Sequence, residues 1–327
     1  MKIGVTARPT QSILEQAETA RLIEDLGYQS AWIADHYFHR DASAALSLML
    51  ARTDTLVLGT AVMSPLLRHP ALLASMAASL REIAPGRFVL GLGVGGYEFA
   101  GELNLPTPRP LQVTREAVQI VRELTAGTAS VTGKTFSANG SRLRWAAAEG
   151  PLYLAARGPK MLELSGRIAD GVITHGISPG HIAFVRDAVS RGAADEELPA
   201  AAASICLMLD VQIDDDREAA LAALRPRCLT MAAGSYADEL IDVYGLDLAE
   251  VTAARAALRR GDRDAAAALV TDRMASAFGL AGPAAEVAAG ISALADLGVD
   301  EVIVSVGGAD TDGYRHQLTA LAQELIR

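Results

Sequence analysis

Eight short apolar runs, several of them rich in β-branched residues, alternate along the chain with longer segments of helical periodicity. We predict strands at residues 2–6, 30–34, 55–63, 87–93, 152–155, 171–174, 205–213 and 301–306. Short apolar runs separated by helices are typical of parallel strands that are covered on both faces. Eight such units predict an α/β fold, namely a closed (β/α)8 TIM barrel.

Helices are predicted where apolar residues recur three and four positions apart. These segments are 13–26, 72–83, 113–124, 161–168, 182–191, 285–297 and 314–326. Gly27 follows the first of them and predicts its end, because glycine readily adopts the left-handed conformation that closes helices. Pro70 is expected in the first turn of the helix that follows the third strand.

Two segments are not needed to build a minimal barrel. We expect both to be insertions in a single domain that covers residues 1–327. Residues 128–145 predict a small hairpin after the fourth strand, because two short runs flank Gly133, Asn139 and Gly140. Residues 214–278, after the seventh strand, are alanine-rich and predict helices. Such helices could cover a site, build a dimer contact, or simply face solvent.

The composition excludes several classes of protein. The chain carries a formal net charge of −10 and no run of five Lys or Arg, which argues against a nucleic-acid partner. Its two cysteines, Cys206 and Cys228, form neither a disulfide framework nor a zinc-binding spacing. Because neither a leader segment nor an apolar stretch of bilayer length is evident, we expect a cytoplasmic protein without a membrane partner.

In a barrel of this type the functional groups lie at the C-terminal ends of the strands. The sequence places His36, Ser64, Glu98, Arg157 and His175 near these ends. No G-x-S-x-G, H-E-x-x-H or carboxylate pair accompanies them, so neither hydrolytic chemistry nor a metal site is expected. His36 or Glu98 could transfer a proton, although a lone histidine is more often structural.

Gly91, Gly93 and Gly96 satisfy the pattern G-x-G-x-x-G after the fourth strand. A dinucleotide-binding fingerprint would open a helix directly, whereas this chain continues into a loop that contains three prolines. We therefore do not expect a Rossmann site. The glycines either allow a flat ring or a backbone amide to approach closely or make a tight bend.

Arg157, Gly158 and Pro159 follow the fifth strand and precede a predicted helix. This arrangement brings backbone amides, a helix N-terminus and a guanidinium group to one place, which favours an anion such as phosphate. The alternative is that Gly-Pro only marks a turn between strand and helix.

Several strings resemble the luciferase-like monooxygenase superfamily, in order and across nearly the whole chain. They are GYQSAWIADH at 27–36, LGTAV at 58–62, RHP at 68–70, PGRF at 85–88 leading into GLG at 91–93, AARGPK at 155–160, ADGVI at 169–173, GPAAE at 282–286 and GVDE at 298–301. Within this superfamily the chain is most similar to the branch of methylenetetrahydromethanopterin reductase and other enzymes that use the deazaflavin coenzyme F420.

The resemblance implies a TIM barrel that binds a flavin or deazaflavin across its C-terminal face. It also implies a non-proline cis peptide bond at Ala61–Val62, in a bulge behind the ring. The residues implied to bind the cofactor are His36, Ala61, Val62, Ser64, Gly93, Val94, Gly95, Ala156, Arg157, Gly158, Pro159, His175 and Gly176.

The activity implied by the resemblance is hydride transfer between C5 of F420 and a small organic substrate, within a homodimer. Arg40 and Gly96 stand where the sugar dehydrogenases of this family carry tryptophan and glutamate, so we do not expect oxidation of a sugar phosphate. One alternative is an FMN-dependent monooxygenase that receives reduced flavin from a partner reductase. The other is a non-catalytic relative that binds a flavin, or a partner subunit, without turnover.

Overall fold

Eight parallel strands close into a barrel in the computed structural model, which describes residues 1–35, 39–94, 103–105, 109–194, 203–234 and 238–326. The barrel strands are β1 (Lys2–Thr6), β2 (Ser30–Ile33), β3 (Val57–Thr60), β4 (Phe88–Leu92), β7 (Leu152–Ala155), β8 (Gly171–His175), β9 (Ser204–Ile213) and β11 (Glu301–Val306). They pair in the order β9-β11-β1-β2-β3-β4-β7-β8, and β8 pairs back onto β9. The predicted TIM barrel is therefore confirmed.

Helices connect the barrel strands and pack around them. They are α1 (Ile13–Asp25), α2 (Ala42–Arg52), α3 (Pro70–Ile83), α4 (Pro110–Ala126), α5 (Pro159–Ile168), α6 (Pro179–Ala194), α12 (Ala284–Ala293) and α13 (Thr311–Leu325). Gly27 has a φ of 87° directly after α1, and Pro70 opens α3 behind a His69 cap, as predicted. None of the helices in the described part of the chain is long and apolar enough to cross a bilayer.

The predicted hairpin and helical insertion are both present. Strands β5 (Thr128–Thr132) and β6 (Ser137–Arg142) form an antiparallel pair after α4. The insertion after β9 contains α7 (Arg217–Ala233), α8 (Glu239–Tyr244), α9 (Leu248–Arg259), α10 (Arg263–Ala268) and α11 (Asp272–Ser276). Its helices share an apolar cluster of their own, which contains Val251, Met274 and Phe278.

Two elements had not been predicted. Helix α2 is apolar over most of its length, so it lacks the clear polar face from which a helix is predicted. An N-terminal signal was nevertheless present in the sequence, because Asp41 caps the helix. Strand β10 (Gly279–Gly282) extends the sheet beyond the barrel by pairing with the C-terminal half of β9. Its sequence, GLAG, has little strand propensity, so its pairing partner decides its conformation.

The N-terminal end of the barrel interior is filled by a polar network. Glu301 Oε1 accepts hydrogen bonds from Ser30 Oγ at 2.5 Å and from Trp32 Nε1 at 2.9 Å. A Cβ on Gly4 would lie 2.2 Å from Ser30 Oγ, so only glycine fits there. Above this network the Trp32 ring stacks on Tyr153 with a centroid distance of 5.8 Å. The packed interior leaves the C-terminal face as the place where a ligand can enter.

Candidate functional site at the C-terminal face of the barrel

The C-terminal ends of β3, β4, β7 and β8, four consecutive strands of the ring, carry most of the predicted cofactor residues. Those within the described residues are Ala61, Val62, Ser64, Gly93, Val94, Ala156, Arg157, Gly158, Pro159, His175 and Gly176. His36, Gly95 and Glu98, predicted in the same site, lie outside the described residues. The closed barrel thus brings residues more than 100 positions apart to one rim.

The end of β3 has the backbone geometry that the resemblance implied, because the Ala61–Val62 peptide bond is cis. The Ala61 amide donates to the Ile33 carbonyl at 2.8 Å, which ties this bulge to β2. On the other side, a Cβ on Gly93 would lie 2.6 Å from Val62 Cγ2 and 3.1 Å from the Ala155 Cβ. Gly93 therefore lets β3 and β7 pack closely behind the site.

A buried carboxylate lies next to the position of His36. Asp35 accepts hydrogen bonds from Arg68 at 2.9 and 3.3 Å, and its side chain is 5 % exposed. Arg68 also contacts Asp41 at 2.7 Å. Burial acts to raise the pKa of Asp41, but hydrogen bonds from Arg68 and from the Ala44 amide lower it to about 2. This ion-pair group fixes the ends of β2 and β3 relative to one another.

The predicted anion site has an open helix N-terminus. Gly158 is the N-cap of α5, with φ −80° and ψ 154°, and no side chain caps the helix. Nothing lies within 4 Å of the position that a Cβ on Gly158 would occupy. Pro159 follows at the first helical position, where its missing N–H costs nothing. The Met161 amide donates to the Gly158 carbonyl at 3.1 Å, so the Lys160 amide, on an exposed residue, is the first-turn donor that an anion at this helix end would meet.

Arg157 joins the barrel rim to the helical insertion. Its Nε donates to the Tyr244 hydroxyl at 2.9 Å, and its Nη2 donates to the Met231 carbonyl at 3.0 Å. The guanidinium carbon also lies 5.2 Å from the Tyr244 ring centroid and 5.9 Å from that of Phe278. The side chain is thus held in place directly ahead of the open helix N-terminus.

Two histidines on β8 and α6 are held neutral beside Arg157. Burial, with the charge of Arg157, lowers the pKa of His175 to about 3. Burial likewise lowers the pKa of His181 to about 4, although Nδ1 of this ring donates to the Gly176 carbonyl at 2.9 Å. Gly176 has a φ of 115°, and a Cβ there would lie 2.7 Å from the Tyr244 ring. Near neutral pH neither imidazole adds charge to this rim.

Sequence reasoning missed three polar groups on the other side of the rim: Asp210 and Ser305 at the ends of β9 and β11, and Arg227 on α7. Arg227 Nη2 contacts Asp210 Oδ1 at 2.8 Å and Ser305 Oγ at 3.0 Å. A signal was present, because Asp210 is the one charged residue of β9. Arg227, by contrast, has no local pattern that separates it from the other arginines of α7.

A separate cavity of about 230 Å³ lies near the N-terminal start of β7, at the opposite end of the barrel from these residues. Its lining includes Arg81, Arg122 and Glu149. It does not belong to the site at the C-terminal face.

Known proteins are similar to this chain in sequence and in fold over most of their length. Residues 1–301 match the luciferase-like monooxygenase family. The chain belongs to this family. It is 31 % identical to the 5,10-methylenetetrahydromethanopterin reductase of Methanolobus tindarius over 93 % of both chains. It is 32 % identical to the reductase of the same name from Archaeoglobus fulgidus, over 93 % of this chain and 92 % of the relative.

A solved structure agrees with these sequence matches. The coenzyme F420 dependent tetrahydromethanopterin reductase of Methanopyrus kandleri superposes with a TM-score of 0.84 and 26 % identity. The superposition covers 99 % of this chain and 98 % of the other. The family resemblance seen in the sequence is therefore confirmed.

Proposed function

We propose that this protein is an F420-dependent oxidoreductase that transfers a hydride between deazaflavin C5 and a small organic substrate. The observation that carries the proposal is the open, uncapped N-terminus of α5, which faces the same rim as the close-packed bulge of Val62 and Gly93. The helix N-terminus offers a place for an anionic tail, and the bulge offers a place for a flat ring. The relatives named as F420-dependent or as methylenetetrahydromethanopterin reductases support this choice of cofactor.

The residues at the rim fit such a group. A side chain in place of Gly158 would stand at the helix N-terminus. A side chain in place of Gly93 would stand between β3 and β7. His175 is neutral near pH 7, so it can sit against the cofactor without adding a charge. We propose Ala61, Val62, Ser64, Gly93, Val94 and Gly95 for the ring and its chain, and Ala156, Arg157, Gly158, Pro159, His175 and Gly176 for the phosphate side.

The protein's own part in the reaction is positioning and proton handling. When bound, F420 supplies the hydride chemistry at C5, and no covalent nucleophile is required from the chain. The rim residues would place the substrate beside the cofactor ring, at the separation of about 3–3.5 Å that the transfer requires, and would exclude water. His36 and Glu98 are proposed to exchange the proton that accompanies reduction of an electron-poor double bond or imine.

Titration of the purified protein with F420 and, separately, with FMN tests this proposal. We expect quenching of F420 fluorescence at concentrations at which FMN binds weakly, and turnover with reduced F420 in a screen of imines and activated alkenes. Preference for FMN would overturn the proposal and direct the search to oxygen uptake with a flavin reductase. If neither cofactor binds, the remaining interpretation is that the protein is a non-catalytic relative. Sedimentation of the same sample tests the proposed homodimer.

A further inference from the structure

The proposed cofactor residues occupy only one side of the barrel mouth. Apart from His36, which follows β2 in the sequence, they follow β3, β4, β7 and β8, which are consecutive in the ring, so β9, β11, β1 and β2 form the other side. A substrate stacked against the ring must then contact groups that follow these four strands or that reach over them from the helical insertion. Two arginines, Arg8 and Arg227, stand there.

Arg227 extends from α7 to the ends of β9 and β11. Its Nη2 donates to Asp210 Oδ1 at 2.8 Å, to the Ser305 carbonyl at 2.6 Å and to Ser305 Oγ at 3.0 Å. Nε is buried and has no hydrogen-bond partner among the described residues, while the side chain as a whole remains 25 % exposed. In the described part of the chain all of these bonds use Nη2, which leaves the second terminal nitrogen, Nη1, for a ligand.

Arg8 follows β1 on the same side of the mouth. Its terminal nitrogens donate to the Gly308 and Asp310 carbonyls, at 2.5 and 2.8 Å, and its guanidinium lies 5.2 Å from the Tyr314 ring centroid. Within the described residues Arg8 makes no ion pair. Arg227 bonds to Ser305 near the end of β11 and Arg8 bonds to the Gly308 carbonyl just beyond it, so the two guanidinium groups lie at the end of the same strand.

Among the described residues the charge of this region is not balanced. Asp210 pairs with Arg227, whereas no described carboxylate pairs with Arg8. Asp310, whose carbonyl accepts from Arg8, is exposed, and its carboxylate caps the Gly313 amide at 2.8 Å. Partly buried guanidinium groups are well suited to bind an oxyanion, because their donors are arranged in a planar fork.

We propose that this side of the mouth is the substrate site, and that Arg8 and Arg227 recognise an oxyanion group, a carboxylate or a phosphate ester, on the substrate. This inference rests on the proposed function, because it places the reacting bond between that group and the cofactor ring. It narrows the substrate class to anionic compounds that carry a reducible double bond or imine.

The experiment uses protein loaded with F420, so that the open end of α5 is occupied. Succinate and inorganic phosphate are titrated separately at constant ionic strength, and binding is followed by calorimetry. We expect saturable binding of at least one anion. Its Kd should rise at least tenfold in Arg227→Gln and in Arg8→Gln, with Arg227→Lys intermediate. Binding of succinate would identify the substrate group as a carboxylate, and binding of phosphate would identify it as a phosphate ester.

Arg225→Gln is the matched control, because Arg225 lies on the same helix and pairs with Asp272 outside the mouth. Its Kd should stay within twofold of the wild type. Absence of saturable anion binding, or equal losses in Arg225→Gln and Arg227→Gln, would overturn the inference. Thermal melting of each variant separates loss of binding from loss of folding, and Arg8→Lys replaces Arg8→Gln if the latter does not fold.

The two proposals can fail separately. If F420 does not bind, the proposed function is overturned, yet the same anion titration on protein without cofactor still measures dependence on Arg227. If F420 binds with wild-type Kd in Arg227→Gln while anion binding is unchanged, only the substrate-site inference fails.

Discussion

Replacement of Gly158 by aspartate separates the stability of α5 from its proposed role in binding the cofactor. Gly158 is an N-cap without a side chain, its φ of −80° is open to any residue, and a Cβ meets nothing within 4 Å. An aspartate there can accept hydrogen bonds from the first-turn amides and interact favourably with the helix dipole. The same carboxylate would lie beside the place proposed for the phosphate.

The two effects have opposite signs. Capping by aspartate instead of glycine, with the dipole, should stabilise the fold by a few tenths to about 1 kcal/mol. An anion held by the same amides would lie roughly 5 Å from the new carboxylate, where two unit charges repel by about 3 kcal/mol at an effective dielectric constant of about 20. Allowing for screening, F420 binding should weaken roughly 10- to 100-fold.

Fluorescence titration with F420 and urea unfolding of Gly158→Asp measure both quantities on one protein. Gly158→Asn is the control, because it can cap the helix without a charge, and it should weaken binding far less than the aspartate does. Wild-type F420 affinity in Gly158→Asp would refute the assignment of this helix end to the phosphate. A loss of equal size in Gly158→Asn would show that space, not charge, decides binding.

Three further predictions concern buried groups. Gly93→Ala forces a Cβ to within 2.6 Å of a valine methyl, so we expect the free energy of unfolding to fall by about 1–3 kcal/mol and F420 binding to weaken, both measurable on one sample. His175 and His181 have pKa values of about 3 and 4, below the usual 6.5, so the unfolded chain binds protons that the folded chain does not. Stability should therefore fall as the pH drops from about 6.5 to 4, by up to about 1.4 kcal/mol per pH unit for each histidine, and His175→Gln/His181→Gln should reduce this slope in urea unfolding at several pH values. Burial raises the pKa of Cys206 and Cys228, so a thiol reagent should label both in denaturant and neither in native protein, and rapid labelling of native protein would contradict this burial.

The strands were predictable because barrel strands are buried on both faces. Strands β1, β7 and β11 begin and end where the apolar runs do. β3 is shorter than its run, because the chain leaves the regular ladder before the cis peptide bond at Ala61–Val62. Helix α2 was missed since its apolar residues are not confined to one face. The local sequence pattern thus predicts a strand or a helix when its apolar residues recur with the period of that element and are also the residues that become buried.

The positions of the site residues were predictable, but most of their contacts were not. Barrel closure alone brings Gly93 and Gly158 to one rim, so strand ends read from the sequence already indicated where to look. The partner of Arg157, by contrast, is Tyr244, 87 residues further along the chain in the insertion. No spacing rule relates these two positions, because the packing of the inserted helices decides which side chain reaches the rim.

The insertion reaches both sides of the barrel mouth. On the side of β7 it holds Arg157 through Tyr244 and the Met231 carbonyl. On the side of β9 it holds Asp210 through Arg227. Met231 and Arg227 lie one helical turn apart on α7, so a shift of this helix moves groups on both sides together. Differences in substrate among proteins with this barrel should therefore be sought first in the helix that follows β9, and only then in the residues at the ends of the strands.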